Sequence, residues 1–390
     1  MDDSQVTPIA VTEGSAPSAP PIRFRLPEND AFWEVTDSEE GKKHELRLKD
    51  YLRSSLQMQH LAILCGSGTS IESGLPSMPE LWREALKIEQ FEEVRGDVGY
   101  QGRSNLEEFL SRCDAFIELN GGSDRVAVVR AKAISVILEQ CRKCPRGLEA
   151  HADLLKKLIR RRARDSRVKL FTTNYDLCFE SAAGELGIIP IDGFSFGSPR
   201  RFDPRFFEYD IVRRTPLAEG SAFVPGVFHF YKLHGSVDWK GQDGSIIVDR
   251  TVGESEACLI YPARAKFQRS YEQPHLELMA RYLATVREPN TCLVVAGFGF
   301  NDDHLSGPIL AALRSNPHFR LIVVCRDPEA KLDAGAGAWS HLRALSSRAD
   351  VSFVAASFSR FAELIPDLSA LSRADELQAA VVRAVKEGSS

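Results

Sequence analysis

The sequence predicts an α/β protein, a parallel sheet with helices on both faces, carrying a helical insertion and an irregular β-containing insertion. Three observations predict it. The runs "HLAILC", "VKLFTT", "CLVVA", "RLIVVC" and "VSFVAA" have strand length and are apolar throughout, the pattern of strands buried on both faces. Segments of helical period separate them, as βα alternation requires. Finally, four apolar runs end in glycine-rich or polar clusters, at the carboxyl ends of strands where open parallel sheets bind ligands.

In chain order, residues 1–22 are rich in Pro, Ser, Thr and Ala and read as a disordered tail, with no basic start before an apolar block and so no secretory signal. A main domain is expected over 23–365. "EEGKKHELRLKDYLRSSLQMQ" places Leu46, Leu48, Tyr51, Leu52 and Leu56 at helical spacing. "HLAILCG" is a buried strand entering a Gly-rich turn. The stretch 80–165 is helical, with Asn105 as an N-cap and Leu106, Phe109, Leu110 and Phe116 on one face. "VKLFTT" is the next strand. From 188 to 270 the texture turns to Gly, Pro, Phe and short β-rich pieces such as "GVFHFYKLHGS" and "SIIVD". A helix near 272–286 precedes the strands "CLVVA" and "RLIVVC", which have a helix between them, and then "VSFVAA". Residues 366–390 read as a C-terminal amphipathic helix with Leu377, Ala380, Val381 and Ala384 on one side.

The composition, 43% hydrophobic and 26% charged over 390 residues, is that of a globular protein. A net charge of -5 provides no global attraction to nucleic acid or anionic membrane. No apolar run reaches the roughly 18 residues of a membrane helix. Eight widely spaced cysteines suit free, buried thiols in a reducing cytoplasm. The one tight pair, Cys141 and Cys144, has no second pair to complete a zinc site, so no metal is expected and Pro145 simply ends a helix. The basic run from Lys156 to Lys169 has no interleaved aromatics and reads as a solvated helix face rather than a nucleic-acid site.

Each of the four clusters admits a chemical and a structural reading. In "GSGTSIESGLP", Gly66 and Gly68 permit a tight turn whose amides face a pyrophosphate, with hydroxyls from Ser67, Thr69 and Ser70. The same residues also suit a plain strand-to-helix turn. In "TTNYD", Asn174 can hold a water or a ribose hydroxyl and Asp176 can orient a hydroxyl or a cation, or the pair can cap a helix. In "KLHGS", His234 is a candidate general base or a partly buried histidine bonded to backbone, and Gly235 allows close approach. In "GFGFNDDH", Gly297 and Gly299 leave room for a ribose, while Asp302, Asp303 and His304 would need convergent ligands from elsewhere to hold a metal and are explained more cheaply as a helix N-terminus.

These clusters, in this order, resemble the sirtuin-like superfamily over roughly residues 58–330. The resemblance implies a Rossmann-like fold with NAD as substrate and no metal. It implies that Asn174 positions water or ribose at the scissile C1′ and that His234 is the general base, with Asp176 beside them. NAD would be held by Gly66, Ser67, Gly68, Thr69, Ser70, Ser73, Thr173, Gly235, Gly297, Gly299 and Phe300. Two departures from deacylating sirtuins stand out. Ser77, Met78 and Pro79 replace the aromatic and Arg that follow the glycine-rich turn, and Cys258 and Cys292 are single where a zinc module has pairs. The motif forms look like a bacterial branch whose members cleave NAD as effectors of anti-phage immunity. A protein deacylase and a catalytically idle nucleotide-binding scaffold are the alternatives. A free NAD hydrolase would drain its own cell, so gating in an assembly is expected. The resemblance suggests a HerA-type hexameric ATPase as partner, beside a homo-oligomer. The helical stretch looks unnecessary for the crevice, leaving Val126, Val128, Val129 and Ile134 free to bury against a second subunit.

Overall fold

In the strand His60–Cys65, Leu61, Ile63 and Cys65 face one side and Ala62 and Leu64 the other, and all five are buried. That explains its unbroken apolar sequence: each face meets a helical layer. The computed structural model describes residues 20–102, 104–120, 124–143, 145–161, 166–214, 221–259 and 273–368. The expected tail over 1–19, Cys144 and the C-terminal helix beyond 368 lie outside the described residues.

A nine-stranded sheet runs in the spatial order Trp33–Glu34, Arg23–Arg25, Val351–Ala355, Phe319–Cys325, Thr291–Ala296, His60–Cys65, Lys169–Thr172, Val227–Lys232 and Ile189–Ile191. The six pairings from Val351–Ala355 to Ile189–Ile191 are parallel. The two pairings at the other edge are antiparallel, so the expected parallel sheet carries a short antiparallel margin. One face is covered by helices Glu39–Leu56, Glu149–Leu158, Cys178–Leu186 and Phe358–Leu364. The other is covered by His275–Arg287, Asp303–Ser315 and Ala338–Leu345.

Leu48, Leu52 and Leu56 are buried as their spacing predicts, whereas Leu46 is exposed. Ile22, assigned to the tail, packs in the core, and its carbonyl accepts from Val35 N. The strands Ile189–Ile191 and Val227–Lys232, assigned to an irregular insertion, belong to the central sheet. What is inserted is a three-stranded antiparallel sheet of Gly235–Gln242, Ser245–Val248 and Ala257–Leu259.

Helices Met78–Ala85, Phe91–Asp97, Leu106–Leu119 and Asp124–Cys141 form a module with its own core. Asn105 caps the third of these, its side chain accepting from Glu108 N at 3.1 Å. Val126, Val129 and Ile134 are buried in this module and only Val128 is exposed, so the face expected to meet a second subunit is already covered from within. Tyr175, Val237 and Leu259 join the module's core and dock it onto the sheet. The described members of the basic run are also engaged: Lys157 donates to the carbonyls of Ala362 and Glu363, Arg160 pairs with Asp367 and Arg167 with Asp210.

Candidate functional site

The strands Thr291–Ala296 and His60–Cys65 run side by side, so their carboxyl-end loops are forced together. Gly68 N donates to Gly297 O at 3.0 Å and Gly66 N to Ala296 O at 3.0 Å. Gly297 has φ +63, and a Cβ there would lie 2.6 Å from Thr69 N. Only glycine permits this backbone contact. The same contact corrects the expectation of a phosphate cradle of outward amides. The amides of Gly66, Gly68, Thr69 and Ser70 all donate to carbonyls inside the protein. What the turn offers to the crevice is the edge formed by Gly66, Ser67 and Ser70.

That edge borders a cavity of about 220 Å³, also lined by Asn105, Glu107, Asn174, Asp176, His234 and Asp302. Thr173, Gly297 and Gly299 line it as well. Asn174 is 7% exposed. Its Nδ2 donates to Gly66 O at 3.1 Å, Thr69 Oγ1 at 3.2 Å and Ser70 Oγ at 2.9 Å. The Gly66 carbonyl can only accept, which fixes the amide's orientation, so the buried Oδ1 is the other end, and it has no hydrogen-bond partner. A buried, unpartnered carbonyl oxygen costs roughly 1–3 kcal/mol and marks a position built for a ligand donor. Asn174 is thus no helix cap. Asp176, just ahead of the next helix, instead closes a turn into it, its Oδ1 accepting from Cys178 N at 3.0 Å.

Behind this loop, Lys232 ends a sheet strand with its side chain 3% exposed. Its Nζ donates to the carbonyls of Tyr175 and Asp176 and to Glu180 Oε1 at 2.7 Å. Burial pushes the Glu180 carboxyl up to about 7, with Lys232 pulling it down against that trend.

His234 is 6% exposed, and its Nε2 lies 3.2 Å from Asp302 Oδ2. Asp302 also caps the next helix, accepting from His304 N at 2.8 Å. Burial pulls the His234 pKa down, but the Asp302 hydrogen bond and the Glu107 and Asp302 charges outweigh it and hold the imidazole above its ordinary value. Burial likewise raises the Asp302 carboxyl, yet its contact with His234 wins and leaves it below the usual range. Glu107 accepts from Tyr175 Oη at 2.7 Å, and burial raises its pKa.

Several expected ligand residues lie elsewhere. Thr69 is buried against Gly66 O, and Ser73 Oγ donates to Gly147 O at 3.0 Å. Gly235 has φ +85, but what approaches it is the Cys258 carbonyl oxygen, 2.2 Å from where a Cβ would stand. Phe300 packs between Phe298 and Trp339. Gly68 faces a second cavity of about 190 Å³, with Gly297, Gly299, Arg326, Lys331 and Ser357 on its wall. The segment judged unnecessary for the crevice supplies Leu81, Asn105, Glu107 and Cys141 to the first cavity. Glu107, Tyr175 and Lys232 went unread in the sequence. Asp302 was read as a helix start or a metal ligand, although its place after "GFGF" put it at the same sheet edge as His234.

Among the described residues no cluster of three or more His, Cys, Asp or Glu side chains is arranged to hold a metal. No described helix is long and apolar enough to cross a membrane.

The family described as a SIR2-like domain matches residues 168–343, which include Asn174, His234, Gly297 and Asp302. No curated protein matches the chain. Among solved structures, a Sir2 homologue complexed with NAD is 18% identical, with a TM-score of 0.36, covering 81% of this chain and 91% of that one. A mutant Sir2 homologue complexed with ADP-ribose is 14% identical, with a TM-score of 0.41, covering 81% and 94%. Sir2Tm bound to a propionylated peptide is 12% identical, with a TM-score of 0.40, covering 81% and 96%.

Proposed function

We propose that the protein is an NAD+ hydrolase that releases nicotinamide and ADP-ribose, acting as a gated effector in bacterial anti-phage defence. The observation that carries the chemistry is the buried, unpartnered Asn174 Oδ1, oriented by the Gly66 carbonyl on the amide's other end and set in one cavity with the His234–Asp302 pair. Breaking the C1′–N bond sends the electron pair out with nicotinamide and leaves positive charge on the ribose. The site must then orient one water and accept its proton. Asn174 Oδ1 accepts a hydrogen bond from that water or from a ribose hydroxyl, and neutral His234, held by Asp302, takes the proton. Two cavities sharing Gly297 and Gly299 suit a ligand with two ends, nicotinamide riboside toward His234 and adenosine toward Arg326 and Ser357.

The cellular role rests on the motif resemblance. On that basis the gate is an assembly, either copies of this chain or a HerA-type hexameric ATPase. Purified protein incubated with NAD is expected to release nicotinamide in step with ADP-ribose once that assembly has formed, and little before it, so the assay is run with and without such an ATPase. Asn174→Ala and His234→Ala should each abolish release while NAD binding persists. Acetyl release from a peptide in step with nicotinamide would instead establish a deacylase. NAD binding with no nicotinamide under any condition would establish a scaffold.

A further inference from the structure

Glycosidic cleavage that builds positive charge on a sugar is commonly assisted by a carboxylate facing the anomeric carbon. The helical module places one in the reaction cavity. Glu107 sits in the first turn of Leu106–Leu119, where the Asn105 cap fixes the start of the helix. Its Oε1 is pinned by the Tyr175 hydroxyl at 2.7 Å, and Tyr175 immediately follows Asn174 in the chain. The carboxylate therefore reaches the site from a separate structural unit but is held by the loop that carries the unpartnered amide. Glu107 also acts electrostatically on His234, and both line the same cavity.

We propose that Glu107 is a further catalytic residue, its carboxylate stabilising the positive charge that develops on the ribose as nicotinamide departs. The inference rests on the NAD-cleaving reading above. It divides the work of the cavity: Glu107 assists bond breaking, while Asn174 and His234 serve the incoming water. No proton moves to Glu107. The C1′–N electron pair leaves with nicotinamide, the water oxygen bonds C1′, and the released proton goes to His234. Glu107 must be ionised to act. The groups facing it are Tyr175 and Asp176 from the loop after Lys169–Thr172, His234, Asp302 from the loop after Thr291–Ala296, and the Cys141 thiol. Of these, the His234 charge favours the ionised carboxylate and the Asp302 charge opposes it, while burial raises its pKa most.

The test is Glu107→Gln, which keeps the side chain's shape and an acceptor for the Tyr175 hydroxyl. NAD affinity is measured by calorimetry, and nicotinamide release is followed from pH 4.5 to 8.5. The variant should bind NAD within about three-fold of the parent and lose roughly 10²–10³-fold in kcat, the scale of removing one electrostatic contact to a transition state. The pH profile adds a readout that a structural role would not move. The parent's acid limb should reach a slope of two protons as both His234 and Glu107 protonate, while the variant keeps a slope of one. A variant with kcat within three-fold of the parent, or a loss confined to NAD affinity, overturns the assignment and leaves the hydrolase reading standing. A parent that binds NAD but releases no nicotinamide removes both.

Discussion

Replacing Lys232 with Met tests how the reactive loop is held in place. Lys232 Nζ bonds the carbonyls of Tyr175 and Asp176 and pairs with Glu180, whose Oε2 is buried without a partner. Methionine fills much of the same volume, so the loss is electrostatic rather than a cavity. Removing one partner of a buried ion pair costs about 3–5 kcal/mol. At ~2.1 cal/mol/K per residue, a 390-residue chain unfolds with an entropy of ~0.8 kcal/mol/K, so Tm should fall by about 4–6 °C. The drop should depend on pH. Glu180 titrates near 7 in the folded parent and about 4.3 when unfolded, so between these values the folded state holds a proton the unfolded chain has released. The group's contribution to stability therefore falls as pH rises through that window. Without Lys232 the folded pKa climbs further, the window extends upward, and the deficit against the parent is larger at pH 8 than at pH 5.5. The double variant Lys232→Met/Glu180→Gln, which removes the stranded carboxylate, should recover about half of the loss at pH 8. Differential scanning calorimetry at the two pH values reads all of this. A single variant within 1 °C of the parent at pH 8, or a double variant no better than the single, refutes the account.

Other expectations concern the site directly. Asn174→Ala and His234→Ala should each reduce nicotinamide release below detection with Tm within ~2 °C of the parent, because neither side chain fills a core. Asp302→Asn removes a charge that holds the His234 pKa up, so the acid limb of the rate profile should move to lower pH; an unmoved limb would separate His234 from the base role. Gly297→Ala sets a methyl against Thr69 N at a backbone angle that L side chains rarely adopt, so Tm should fall and nicotinamide release should drop at least ten-fold; parent-like values would show that the two loops can part without consequence.

The central strands were legible because burial on both faces leaves an unmistakable apolar run. Val227–Lys232 was harder to place, since its neighbours Gly226 and Gly235 and the small sheet after it made the whole stretch look irregular. The antiparallel edge was illegible: Arg23–Arg25 is three residues long and acquires its identity from Val351–Ala355. In the site, Asn174 and His234 stood out as polar residues at strand ends. Glu107 did not, because an acidic residue in the first turn of a capped helix is ordinary helix chemistry. Nothing local announces that this turn faces a cavity. Lys232 was hidden for a related reason, since a lysine closing an apolar strand looks like a solvent-exposed end.

The strand order also bears on how the molecule is made. Arg23–Arg25 pairs with Val351–Ala355, and His60–Cys65 lies between strands that begin at Lys169 and Thr291. Contacts this remote in sequence slow folding and must wait for late segments of the chain to leave the ribosome. Asp302 emerges after the other groups of the reaction cavity, so a nascent chain carries Asn174 and His234 for some time with no partner for the imidazole. The cavity is thereby assembled with its polar groups apart until the segment carrying Asp302 has been made.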